Sequence, residues 1–150
     1  MGFEIGGSWT ASTSAESNGN RRMSIAATPD PKPLTGMRIL VAEDSWHLAM
    51  ALRQTLEQAG AIVPNMAGTV AQAERLTRTL DFDAAVMDLN LHDEMTTTLV
   101  TRLAEQGKKI IVISGYEVAP DLARKVHACL AKPATGEALI TALLRPLQAG

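Results

Sequence analysis

Met37-Arg38-Ile39-Leu40-Val41-Ala42-Glu43-Asp44 is a short aliphatic run that breaks off in two acids. A continuous run of that kind reads as a strand buried on both faces, which needs helices on both sides. Working toward the C-terminus, Ser45 is a fitting N-cap for a helix that carries Leu48, Ala49, Leu52 and Leu56 on one face and stops at Gly60. Ala61-Ile62-Val63 reads as a second strand, placed by Pro64 at an edge or at its own end. Thr69 can cap the next helix, with Val70, Ala73, Leu76, Thr77 and Leu80 turned inward.

The same alternation continues. Asp83-Ala84-Ala85-Val86-Met87 reads as a third strand, 88–94 as a polar loop and about 96–106 as a helix. Lys109-Ile110-Ile111-Val112-Ile113 is the most strand-like run in the chain. A short helix follows Pro120, a weak strand covers Ala128-Cys129-Leu130-Ala131, and a last helix runs from Thr135 to about Gln148. Five βα repeats predict a parallel, doubly wound sheet, since parallel strands need crossover helices.

Working toward the N-terminus, residues 1–36 are rich in Gly, Ser, Thr, Asn and Ala and close on the Pro-rich run Thr28-Pro29-Asp30-Pro31-Lys32-Pro33. So little apolar surface does not offset the entropy of ordering, and the segment reads as a disordered tail before a domain at 37–150. Ile5 and Trp9 are too few to build a domain, and Met23 is an alternative start.

Composition narrows the function. The 150 residues hold one domain and a tail, and 46% hydrophobic residues with only 3% aromatic ones make an aliphatic core. A formal charge of −2 provides no basic field for nucleic acid. Cys129 is the sole cysteine, so an intramolecular disulfide is excluded and a cysteine-built metal site is disfavoured. Its context reads as a small buried hydrophobe in the fifth strand, and a single thiol suits a reducing cytoplasm. No apolar run spans a bilayer and no secretory leader is visible, so the expected location is cytoplasmic, without membrane contact.

Ligand chemistry in doubly wound sheets gathers at the C-terminal ends of the strands. Those ends carry Glu43 and Asp44, Asp88, Ser114 and Lys132. Three converging carboxylates raise one another's pKa unless a cation intervenes, and an all-oxygen donor set favours Mg²⁺ over Zn²⁺. With a cation present, the group reads as a phosphoryl-transfer site. A carboxylate can form an acyl phosphate, Lys132 and a Ser114 hydroxyl can neutralise phosphoryl oxygens, and Gly115 leaves room for the group.

Val41-Ala42-Glu43-Asp44, Val86-Met87-Asp88-Leu89-Asn90-Leu91, Ile113-Ser114-Gly115 and Leu130-Ala131-Lys132-Pro133 together resemble the motifs of response-regulator receiver domains, over about residues 37–148. The fold implied is a flavodoxin-like five-stranded parallel sheet of order 2-1-3-4-5. The resemblance implies that Asp88 accepts a phosphoryl group from a phosphohistidine on a sensor histidine kinase or phosphotransfer protein, with no enzymatic turnover of its own. It implies Mg²⁺ held by Glu43, Asp44, Asp88 and the backbone carbonyl of Asn90, phosphoryl oxygens on Ser114 and Lys132, and a cis Lys132–Pro133 bond.

The chain departs from the family pattern at three positions. His92 replaces the usual Pro four residues after the acceptor, Thr96 replaces the following Gly, and Cys129 stands where an aromatic switch residue is expected. Coupling through that ring must therefore run through other residues or be absent. His92, in the acceptor loop, could touch the phosphodonor protein. His47 and His127 share no ligand spacing and read as surface residues. Trp46 and Tyr116 border the site in sequence, and Trp46 is a surface residue or a kinase contact.

In the last helix, Glu137, Thr141, Arg145 and Gln148 form one narrow polar stripe, leaving more apolar circumference than docking on a sheet requires. Ile140, Leu144 and Leu147 on that surplus would meet a homodimer mate or a downstream protein partner. The chain ends soon after this helix, which fits a stand-alone receiver signalling by protein contact or phosphorelay. A receiver-like module working without phosphorylation and a receiver cut from a hybrid kinase are the alternatives. A Mg²⁺-dependent phosphatase would need an acid two residues after the nucleophile, where Asn90 stands.

Overall fold

In the computed structural model, residues 32–147 are described. Four of the five main strands lie where aliphatic runs are longest: β1 (Ile39–Ala42), β3 (Ala84–Asp88), β6 (Lys109–Ser114) and β7 (Ala128–Ala131). With β2 (Met66–Ala67) they form one parallel sheet in the order β2-β1-β3-β6-β7, the expected 2-1-3-4-5 pattern. The helices are α1 (Trp46–Gln58), α2 (Val70–Thr79), α3 (Thr97–Glu105), α4 (Pro120–Lys125) and α5 (Gly136–Leu144). A small antiparallel pair, β4 (Asn90–Leu91) and β5 (Glu94–Met95), lies in the loop after β3.

The period-2 alternation of strand side chains divides the core in two. Leu40, Ala42, Ala85, Met87, Ile110 and Val112 face α2, α3 and α4. Ile39, Val41, Ala84, Val86, Ile111 and Ile113 face α1 and α5. Because aliphatic side chains fill both layers, the strand ends carry the polar chemistry.

Five expectations need correction. The second strand is split: Ile62 bridges Arg38, but regular pairing resumes only at Met66 with Val41. Four steps on one chain oppose three on the other, so one extra residue is accommodated beside Pro64, which has no N–H to donate. Next, Lys32–Gly36 are not tail. Leu34 is 1% exposed in the second core and its amide bonds the Ala59 carbonyl at 2.8 Å. Gly60 permits this approach at φ 102, since an added Cβ would lie 2.8 Å from Thr35 Oγ1. The remaining tail residues, with Ile5, Trp9 and Met23, fall outside the described part.

The last helix ends at Leu144 rather than near Gln148, because Arg145 precedes Pro146 and adopts an extended ψ of 138°. Its apolar surplus is also smaller than the sequence implies. Ile140 packs against the second core, while Leu144 and Leu147 remain exposed. Finally, Cys129 is exposed. Its neighbours Ala128 and Leu130 pack toward α1 and α5, so Cys129 points to the opposite side of an edge strand, where α4 has only six residues.

Candidate functional site

Glu43 follows β1, Asp88 ends β3, Ser114 ends β6 and Lys132 follows β7, so the sheet itself carries them to one edge. Register aligns them: Ala42 pairs with Met87, Asp88 with Ile113, and Ser114 with Ala131. Ligand oxygens of Glu43, Asp44 and Asp88 all lie within 4.8 Å of one another.

Each acid is held differently. Glu43 is 5% exposed; its Oε2 accepts from the Ser45 amide at 3.0 Å and its Oε1 lies 3.4 Å from Lys132 Nζ. Burial pushes its carboxyl above the ordinary value. Asp88 is 7% exposed; its Oδ1 accepts from the Asn90 amide at 3.0 Å and its Oδ2 from Lys132 Nζ at 2.5 Å. Asp44 is more open, and the His92 amide, 2.8 Å from its Oδ2, draws its carboxyl below the usual range. For Lys132, burial works against the charge, but the Asp88 hydrogen bond and the charges of Asp88 and Glu43 outweigh it and raise its pKa.

Lys132 thus serves two acids, and its own amide bonds the Ser114 carbonyl at 2.9 Å, fixing β7 to β6 at the site. The Lys132–Pro133 bond is cis. Ser114 is buried, with its hydroxyl oxygen accepting from the Tyr116 amide at 3.0 Å. An added Cβ on Gly115 would meet no atom, so the space beside Ser114 is open.

Three carboxylates against one ammonium leave two negative charges in a half-buried pocket. That deficit, together with oxygen-only donors, fits a hard divalent cation such as Mg²⁺. Glu43, Asp44 and Asp88 could supply carboxylate oxygens. Leu91 and Glu94 close a two-residue turn, so Asn90 and Met95 form the adjoining, non-hydrogen-bonded pair and the Asn90 carbonyl turns out of the hairpin.

Three contributors are not visible from sequence spacing alone. The Ser45 amide, ahead of α1, aims Glu43. Thr96, fully buried, donates its hydroxyl to the Asp88 carbonyl at 2.8 Å, and its amide bonds the Leu89 carbonyl at 2.8 Å. Where a Gly is usual, a Thr here ties the acceptor loop down. The third is the turn His92-Asp93, with φ of 50° and 64°. Two central residues at positive φ are the signature of a type I′ hairpin, normally announced by Asn-Gly or Asp-Gly.

Of the histidines, His47 is exposed as expected and His92 sits 3.9 Å from Asp44 through Nδ1. His127 is not a free surface residue: its Nε2 lies 3.0 Å from the Ala142 carbonyl. Trp46 and Tyr116 are both strongly exposed beside the site.

A doubly wound sheet whose C-terminal edge gathers three acids, a lysine and a serine has the architecture of a receiver domain. The family model described as "Response regulator receiver domain" matches residues 39–144, and the chain belongs to that family. Among solved structures, a CheY-like receiver domain from Methylobacillus flagellatus is 25% identical, with a TM-score of 0.65 over 71% of this chain and 95% of that one. A sensor protein from Polaromonas sp. JS666 is 29% identical, with a TM-score of 0.63 over 72% and 93%. A response regulator from Burkholderia pseudomallei, solved with a phosphorylated aspartic acid, calcium ion and citrate, is 27% identical, with a TM-score of 0.63 over 75% and 66%. A search of curated proteins found no match. No helix among the described residues is long and apolar enough to cross a membrane.

Proposed function

We propose that Asp88 accepts a phosphoryl group from a phosphohistidine on a partner protein, and that the chain passes this state on by protein contact. The observation that carries the reading is the buried Asp88 carboxylate, 2.5 Å from Lys132 inside a pocket short of two positive charges. In the step, the donor's N–P bond breaks as an oxygen of Asp88 bonds to phosphorus, leaving an acyl phosphate on Asp88 and imidazole on the donor. Lys132 moves from the carboxylate onto a phosphoryl oxygen, and the Ser114 hydroxyl turns from the Tyr116 amide to donate to another. Glu43, Asp44, Asp88 and the Asn90 carbonyl would hold Mg²⁺, which would supply the remaining charge neutralisation.

The surroundings support a protein donor. Trp46, at 67% exposure, Leu48 and Met95 stand in solvent close to the acids in sequence. A groove of about 420 Å³ runs between α1 and the β7–α5 connection, walled by Leu48, Leu52, Pro133 and Leu139, with Glu43 and Lys132 at one end. An apolar surface beside a charged reaction centre suits a helical donor protein.

Incubating the chain with a small-molecule phosphodonor and Mg²⁺ tests the proposal by intact mass. One added phosphoryl group, lost when Mg²⁺ is chelated beforehand, is expected. An unchanged mass under conditions that label other receivers would leave a module that binds partners without phosphorylation.

A further inference from the structure

The β4–β5 hairpin is built at a cost that its own packing does not explain. Its tip carries two consecutive non-glycine residues, His92 and Asp93, in the left-handed region, where side chains are strained. Both side chains are exposed, so neither residue is kept there for burial. What surrounds the tip is directed at holding it. The Asn90 side-chain Oδ1 accepts from the Asp93 amide at 2.9 Å. Leu91 is fully buried beside the turn, and the two Thr96 bonds close the hairpin's root.

The turn also carries a long-range contact: the His92 amide reaches a carboxylate 48 residues away, Asp44 Oδ2, at 2.8 Å. Asp44 needs it. Its side chain is 28% exposed, against 3% for Glu43 and 8% for Asp88, so packing holds it least of the three acids.

We infer that the His92-Asp93 turn is a positioning device for the cation site: its His92 amide aims Asp44, and the Asn90 side chain keeps the turn in shape. The roles divide within one residue. The Asn90 carbonyl that the proposed cation site uses turns out of the hairpin while the Asn90 side chain works on the turn, so the two can be separated by mutation. The His92 imidazole stands farther off, its Nδ1 3.9 Å from the Asp44 oxygen that the amide reaches at 2.8 Å, so the aiming is assigned to the amide. The inference rests on the proposed Mg²⁺ site.

Metal affinity, read by calorimetry with MgCl₂, tests it, with amide exchange at His92 and Asp93 reporting the turn. Asn90→Ala keeps every proposed ligand but removes the acceptor for the Asp93 amide. Mg²⁺ binding is expected to weaken roughly tenfold or more, the usual effect of losing a group that orients a metal ligand, with faster exchange at both amides. His92→Gly keeps the amide and relieves the left-handed strain, so affinity is expected to hold or rise. Wild-type affinity in Asn90→Ala, or an equal loss in His92→Gly, overturns the inference while leaving the metal site standing. A wild-type chain that binds no Mg²⁺ overturns the metal site itself, and the positioning role with it.

Discussion

The two ends of the sheet both bury charge, and they handle it in opposite ways. At the N-terminal edge of β6, Lys109 Nζ donates to the carbonyls of Leu143 at 2.8 Å and Arg145 at 2.7 Å, and His127 bonds the Ala142 carbonyl. Side chains thus satisfy the carbonyls at the end of α5, that of Ala142 alongside the Arg145 amide at 3.4 Å, and the lysine is satisfied by them. At the C-terminal edge, three carboxylates share one lysine. The main chain balances the first group internally; the second stays short of positive charge. A closed arrangement of this kind holds a fold, whereas an open one waits for a ligand.

If that contrast is right, disturbing the closed end costs stability and disturbing the open end costs binding. The largest stability effect is expected from Leu34→Ala, which removes a fully buried side chain seated against the end of α1. A loss of about 2–5 kcal/mol in urea unfolding is expected, the range for such core truncations. A change under about 1 kcal/mol would mean that residues 32–36 belong to the tail after all.

The open end responds to ligand instead. Mg²⁺ at about 100 times its Kd is expected to add roughly 2.7 kcal/mol to the native state and raise the thermal midpoint. Replacing both Glu43 and Asp44 by Ala should abolish that response. A double variant that kept the full shift would place the cation elsewhere.

The smallest effect concerns pH. Burial, then the nearby Lys109 charge, lowers the pKa of His127. The folded-state value is depressed, so its contribution is present above the unfolded value of 6.5 and is lost as pH falls through the folded one. Glu43, raised by burial, acts in the opposite sense, losing stability as pH rises through its titration. His127→Gln should flatten the slope of stability against pH just below 6.5. An unaltered slope would remove His127 from the closed end.

Strands β1, β3 and β6 were legible because they are continuous aliphatic runs, and β7 is bounded by Lys132-Pro133 despite its weak pattern; β2 was not, since pairing moves past Pro64 to Met66. The acids, Ser114 and Lys132 were legible because strand ends in this topology converge. What the pattern hid depended on single residues. Leu34 lies among prolines and reads as linker until a cavity for it is seen. Pro146 ends α5 through the residue before it, which a periodicity argument overruns. The hairpin turn uses His-Asp, so the glycine signal is missing, although Asp adopts the left-handed region more readily than most residues. Cys129 looked buried because strand residues usually are, and only the shortness of α4 exposes it.

The central claim is that the open end exists to load Asp88. Asp88→Asn replaces the nucleophilic oxygen with an amide of the same shape, so the fold should persist while the carboxylate repulsion falls. Intact-mass measurement of this variant beside wild type, after exposure to the same phosphodonor and Mg²⁺, is the most direct test. The expected result is one phosphoryl group on wild type and none on Asp88→Asn; labelling of the variant at the wild-type rate would contradict the account.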